Sequence, residues 1–350
     1  MALADQRLAS AGRELQRAVD DGTAPGVAAA AGVGGTATAR WVLGAANTDP
    51  GDRRAMRPDT VFDLASLTKV TATLPCVLSL VVDGAVTLDA EANRYLPRFR
   101  HSGVTVRHLL THSSGLPPDL AGQPPVAGRD QLLDAVCRID LEAPPGARVR
   151  YSDIGFIVLG ALVEELTGAD LQTTARNRVF DPLHMAARFC PPPRWRGRCA
   201  ATEYVDGSPV VGRVHDEIAG AAGGICGHAG LFATLDDMLA YATSWTGGPA
   251  ILPFAVRADA VRCQTAGRGG ARGLGWVCRG DQHDVLTPGW GPGAVCHTGF
   301  TGTSLAVDPH SGRWAILLTN AVHFGRGRTR EVRAMRERFH AALVGDPLPT

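Results

Sequence analysis

The chain has 350 residues, a formal net charge of +1, 45% hydrophobic residues and 20% charged residues. That length can bury a large core, and the composition excludes wholesale disorder. The near-zero charge offers no global field for a nucleic-acid or membrane-surface partner.

The N-terminal segment is polar and lacks an apolar stretch of the signal-peptide kind. No run of about 18 apolar residues occurs, so the expected location is cytoplasmic. Leu8, Leu15 and Val19 recur at helical spacing over residues 5–20, which end at Asp21-Gly22. GVAAAAGV (26–33) and ARWVLGAA (39–46), around Gly34-Gly35, have a hairpin pattern. Residues 64–82 place Leu64, Leu67, Val70, Leu74, Leu78 and Val81 on one helical side, with Gly84 beyond the end and a kink expected at Pro75. A short helix is expected within 106–117 and a strongly apolar one over 155–168, each with a glycine stop.

Residues 186–230 are rich in Gly and Pro and read as loops. LDDMLAYATSW (235–245) resumes helical spacing, with Asp236 and Asp237 in the first turn. Residues 295–302, 303–308 and 313–321 have strand character, and Asp308–Gly312 supplies a hairpin turn. An amphipathic helix over 330–345 closes the chain. Strands at both ends with helices between predict an α/β (α+β) fold. The sheet is antiparallel, built from the N- and C-terminal segments (about 5–60 and 270–345), and flanked by helices. A mainly helical region of about 61–269 is inserted, all within a single domain over 1–350.

The eight cysteines form no CxxC pair and are expected to be free, mostly buried thiols. Lys69 is the only lysine, every other basic position being Arg, and it follows Ser66 by three residues. On a helix the two share a face. A serine hydroxyl needs a base to become a nucleophile, and a lysine can lose its proton where an arginine cannot.

SLTK (66–69) is similar to the S-x-x-K motif of serine β-lactamases and penicillin-binding proteins. Tyr151-Ser152-Asp153, before an apolar helix, resembles the Tyr-x-Asn of class C enzymes. His297-Thr298-Gly299, in a late strand, stands where that family has Lys-Thr-Gly. LLTHSSGLP (109–117) and GHAGLF (227–232) also look like stretches of class C-like esterases, and the resemblance covers roughly residues 20–340.

The resemblance implies a β-lactamase/transpeptidase-like fold and a serine hydrolase working through an acyl-enzyme. Ser66 would be the nucleophile. Lys69 would be its proton acceptor, or the cation that keeps Tyr151 deprotonated, and Tyr151 would shuttle the proton. The backbone N–H groups of Ser66 and Phe300 would form the oxyanion hole. Asp153, His297, Thr298, Gly299 and Phe300 would contact substrate. No metal or cofactor is implied. The partner would be a small-molecule acyl substrate, an ester or amide, with hydrolysis as the leading reaction. Transfer of the acyl group to an amine or alcohol, as in natural-product and antibiotic biosynthesis, is the alternative. True β-lactam hydrolysis is disfavoured, because His297 replaces a permanent cation by a group only partly charged near neutral pH. A non-catalytic acyl-binding module is disfavoured by the complete Ser66, Lys69 and Tyr151 set.

Asp153 either pairs with Lys69 or caps the following helix. His112 reads as structural, satisfied by backbone hydrogen bonds. His215-Asp216 and His228 lack metal-site spacing, and His228 reads as pocket wall or structure. RFCPPPRWRGRC (188–199) reads as a solvated loop, or as a pocket rim through Trp195.

Overall fold

The computed structural model describes residues 2–122 and 125–348. Helix α1 (Ala2–Asp20) leads into the hairpin β1 (Gly26–Val33) and β2 (Thr36–Asn47), followed by the short β3 (Arg54–Ala55). The C-terminal part supplies β4 (Val277–Cys278), β5 (Val295–Thr298), β6 (Ser304–Asp308) and β7 (Arg313–Thr319). These seven strands form one antiparallel sheet in the order β3-β2-β1-β7-β6-β5-β4. The two chain ends meet at the β1–β7 pairing, where Ala29 faces Leu317.

Strand β1 is buried on both faces, as its unbroken apolar run requires. Ala28 and Ala30, with Leu305, Val307, Ile316 and Leu318, join the core shared with the helical region. Val27, Ala29 and Ala31, with Ala306, Ala315 and Leu317, join a second core. That core is closed by α1 and by α5 (Thr329–Val344) through Leu15, Met335 and Phe339. The sheet is therefore the middle layer between two helical layers.

The helix expected over residues 64–82 is only partly regular. Lys69–Thr73 form a π-helical turn, and α2 (Leu74–Val82) follows with Pro75 as its second residue. Helix α3 (Asp153–Thr167) starts at Ser152, whose Oγ accepts from Gly155 N at 3.3 Å, and stops at Gly168 in the left-handed region, φ 65°. Helix α4 (Leu235–Thr246) opens on a capping box of Thr234 and Asp237. Residues 186–230 are more ordered than their Gly and Pro content predicts. They include a hairpin (Ala201–Val205 with Ser208–Val211) and a helical turn, Glu217–Ala221. Arg188–Phe189 and Phe62–Asp63 both pair with Leu231–Ala233. That small ribbon ties the segment before Ser66 to the glycine-rich loop before α4.

All eight cysteines are free, and six are buried; Cys190 and Cys263 are exposed. No described helix is long and apolar enough to cross a membrane.

Candidate active site

Ser66 lies on a constrained turn between the ribbon and the π-helical turn. Ala65 before it has φ 46°, a conformation costly for a residue with a Cβ. Asp63 holds this turn: its Oδ1 accepts from Ala65 N at 2.8 Å and its Oδ2 from His215 N at 2.7 Å. From the sheet side, Thr301 Oγ1 donates to Asp63 O at 2.8 Å and Thr303 Oγ1 to Leu64 O at 3.2 Å.

The π-helical turn aims Lys69 inward, where its side chain is fully buried. Its Nζ donates to Ser66 Oγ at 3.0 Å and to His228 O at 3.0 Å. Asp153 Oδ1 lies 2.7 Å from the same nitrogen, an ion pair. Nζ also sits 5.0 Å from the centroid of the Tyr151 ring. The ammonium thus has three close oxygens for its three donors. Of the two sequence readings of Asp153, the pairing with Lys69 is the one adopted, since Ser152 supplies the cap.

Burial lowers the Lys69 ammonium, but the charges of Asp153 and Tyr151 outweigh it and hold the group above the ordinary lysine value. Burial raises the Tyr151 phenol; Lys69 opposes that and Asp153 adds to it, leaving a net rise. The two groups are coupled, and the resting state with both protonated follows from these directions.

The third segment reaches Ser66 through β5 and the turn after it. A Cβ on Gly299 would meet Thr303 Oγ1 at 2.2 Å and Leu64 O at 2.4 Å, so only glycine permits this approach. Among the described residues neither the Ser66 nor the Phe300 N–H has a hydrogen-bond partner. Ser66, Tyr151, His297, Thr298, Gly299 and Phe300 line one cavity of about 300 Å³. An adjoining cavity of about 580 Å³ shares Ser66, Tyr151 and Phe300 and adds Asp153. The expected site residues therefore converge, with Lys69 buried beneath them.

His297 departs from its expected partial charge. Burial, then Lys69 and Arg272, hold its imidazole well below the ordinary value, so it is neutral at neutral pH. Its Nδ1 contacts Thr298 O at 2.9 Å, and its Nε2 is buried without a partner. His112 is only half satisfied: Nδ1 accepts from Ser152 N at 3.1 Å, while Nε2 has no partner. Its ring packs against Tyr151, with centroids 4.5 Å apart, and so backs that residue from outside the lining of either cavity.

Other contributors lie outside the three motifs. His228 lends its carbonyl to Lys69, and its Nε2 pairs with Asp216 at 2.9 Å. Burial opposes the charge on His228, but Cys226 and Asp216 prevail and lift it to about 10. Arg272 forks onto Asp281, at 3.1 and 2.9 Å, and lies 5.8 Å from the Tyr151 ring. His215 stacks on the exposed Phe300 ring, with centroids 5.5 Å apart. Trp195 lies between Arg188 and Arg198, outside the residues lining either cavity at Ser66.

Residues 12–338 match the beta-lactamase family. The chain belongs to the beta-lactamase family. This beta-lactamase-family chain is 31% identical over 307 residues to an N-acetylmuramyl-L-alanine amidase of Bacillus subtilis (strain 168), covering 77% of this chain and 69% of that protein. Its fold is similar to that of EstCE1, described as a hydrolase with promiscuous acyltransferase activity. The TM-score is 0.78 at 24% identity, over 96% of this chain and 99% of that one. A mutant of simvastatin synthase (LovD) from Aspergillus terreus shares the fold at TM-score 0.75 and 20% identity, over 97% of each chain.

Proposed function

We propose that this chain is a serine acyl-enzyme hydrolase acting on a small-molecule ester or amide. The observation that carries the reading is the buried Lys69 ammonium, 3.0 Å from Ser66 Oγ and paired with Asp153. Such a cation stabilises an alkoxide forming at Ser66 and a phenolate at Tyr151. Two unpaired N–H groups, of Ser66 and Phe300, are available to the carbonyl oxygen under attack.

In the proposed step Tyr151, as phenolate, takes the Ser66 hydroxyl proton as Oγ bonds the carbonyl carbon. The bond to the leaving group then breaks, and Tyr151 returns the proton to the departing oxygen or nitrogen. Water repeats the sequence in reverse and frees Ser66. Lys69 stays an ammonium throughout, because Asp153 holds its proton. Acyl transfer to an amine or alcohol is the second reading. It is supported by the two cavities that meet at Ser66, which leave room for an acceptor beside a bound acyl group. EstCE1 and LovD, on the same fold, add support by analogy.

The test is a fluorophosphonate label and an activated ester such as p-nitrophenyl butyrate. The label is expected on Ser66 by mass spectrometry, and Ser66→Ala is expected to remove both labelling and turnover. A wild type that takes no label at Ser66 and releases no nitrophenol overturns the reading. Added amines or alcohols that yield only free acid leave hydrolysis as the reaction and remove the transfer alternative.

A further inference from the structure

We propose that Arg336 is a positioning residue that fixes and polarises the amide supplying the Phe300 N–H. The inference rests on the reading of that N–H as an oxyanion donor. Arg336 projects from α5 and is buried. Its Nη2 donates to Gly299 O at 2.6 Å and its Nε to Gly302 O at 3.0 Å. These are the two carbonyls at the ends of the turn that carries Phe300, and Gly302 N also donates to Gly299 O at 3.0 Å.

The Gly299 carbonyl and the Phe300 N–H belong to one planar trans amide. In such a unit the oxygen and the hydrogen point in opposite directions. Anchoring the oxygen toward α5 therefore aims the hydrogen away from α5. A charged donor on the oxygen also draws electron density through the amide and strengthens its N–H as a donor. A preorganised donor of this kind acts without reorganisation when charge develops on a substrate oxygen.

The placement is hard to explain by packing alone. The neighbouring helix residues Arg333 and Arg338 pair with Glu337 and Glu14. Arg336 has no carboxylate partner among the described residues, and burial draws its guanidinium down to about 10. A buried cation facing only carbonyls is costly where an apolar side chain would fill the same space. Arg336 also lines the cavity that contains Ser66, so it belongs to the site and not to a remote core.

The test compares wild type, Arg336→Met and Arg336→Lys with p-nitrophenyl butyrate. Arg336→Met is expected to lower kcat by about tenfold or more with KM within about twofold, the pattern of a weakened transition-state donor. Arg336→Lys, which keeps the charge, is expected to recover part of the loss. The acyl carbonyl stretch of the trapped acyl-enzyme, read by infrared difference spectroscopy, is expected at higher frequency in Arg336→Met and between the two in Arg336→Lys. If Arg336→Met does not fold, the Arg336→Lys band decides. An unmoved carbonyl band, or a loss carried by KM alone, overturns the inference. Intact-mass detection of acylated Ser66 in the wild type separates this failure from that of the site: absent acylation removes both readings, whereas normal acylation with an unmoved band removes this one only.

Discussion

Asp153 governs the charge state of the site. It holds Lys69 as an ammonium and adds to the rise of the Tyr151 phenol. If Tyr151 must be deprotonated to act, a raised phenol means that the active fraction grows as pH increases. kcat/KM is therefore expected to climb from pH 7 toward pH 10 without a plateau near neutrality. Asp153→Asn removes the carboxylate and leaves Lys69 acting on Tyr151 alone. The rising limb then moves to lower pH, by about one unit or more, because a nearby cation favours the phenolate. The measurement is a pair of pH–rate profiles with a neutral ester; superimposable limbs would mean that Asp153 does not tune the base. Lys69 itself was legible from composition, as one lysine in an arginine chain. Asp63, Arg336 and the His228 carbonyl were not. Each acts through a contact made across the fold, and a backbone carbonyl leaves no trace in residue type.

Helix α3 and the loop before α4 set the depth at which Lys69 sits. Gly227 packs so closely on α3 that a Cβ would lie 2.0 Å from Phe156 O, and Gly227 O also accepts from Thr73 Oγ1 at 2.6 Å. Gly227→Ala forces the loop off the helix, and the next residue is His228, whose carbonyl holds Lys69. The expected cost is about 1–3 kcal/mol, the usual range for overpacking. It is read as a loss of several degrees in Tm with a matching loss of Ser66 labelling. Gly197→Ala, with nothing within 4 Å of its added Cβ, is the control and is expected to leave both unchanged. Most helices and strands with a clear period were visible in the sequence, because one buried face repeats every 3.6 or 2 residues, but the helix Arg129–Arg138, which buries Leu132, Leu133 and Val136, was missed. The short elements of 186–230 were not. A two-residue strand such as Arg188–Phe189 has no period, and its partner Leu231–Ala233 lies some forty residues on.

Across the whole molecule the +1 net charge conceals a division at Ser66. The smaller cavity is lined by Arg272, Arg326, Arg328, Arg333 and Arg336, with no carboxylate among its lining residues. The adjoining cavity carries Asp119, Asp153, Asp216 and Glu217, with Arg326 as its one arginine, shared between the two. In the smaller cavity Arg272 Nη1 and His297 Nε2 are buried without partners. An anionic group is therefore favoured on the arginine side and repelled on the other. The expected outcome is a kcat/KM for 3-carboxyphenyl acetate about tenfold above that for phenyl acetate at low salt, the scale of one charge-assisted hydrogen bond. The ratio should shrink as salt rises, since the screening length falls from about 10 Å at 0.1 M to about 3 Å at 1 M. Arg328→Gln should lower the ratio severalfold, because Arg328 lines the cavity and its guanidinium meets the Gly22 carbonyl but no carboxylate among the described residues, and it should leave phenyl acetate turnover unchanged. Equal rates for the two esters at every salt concentration would sink the idea. They would show that the Asp281 pairing of Arg272, with Glu203 and Glu217 on Arg326 and Glu337 on Arg333, neutralises the arginines fully.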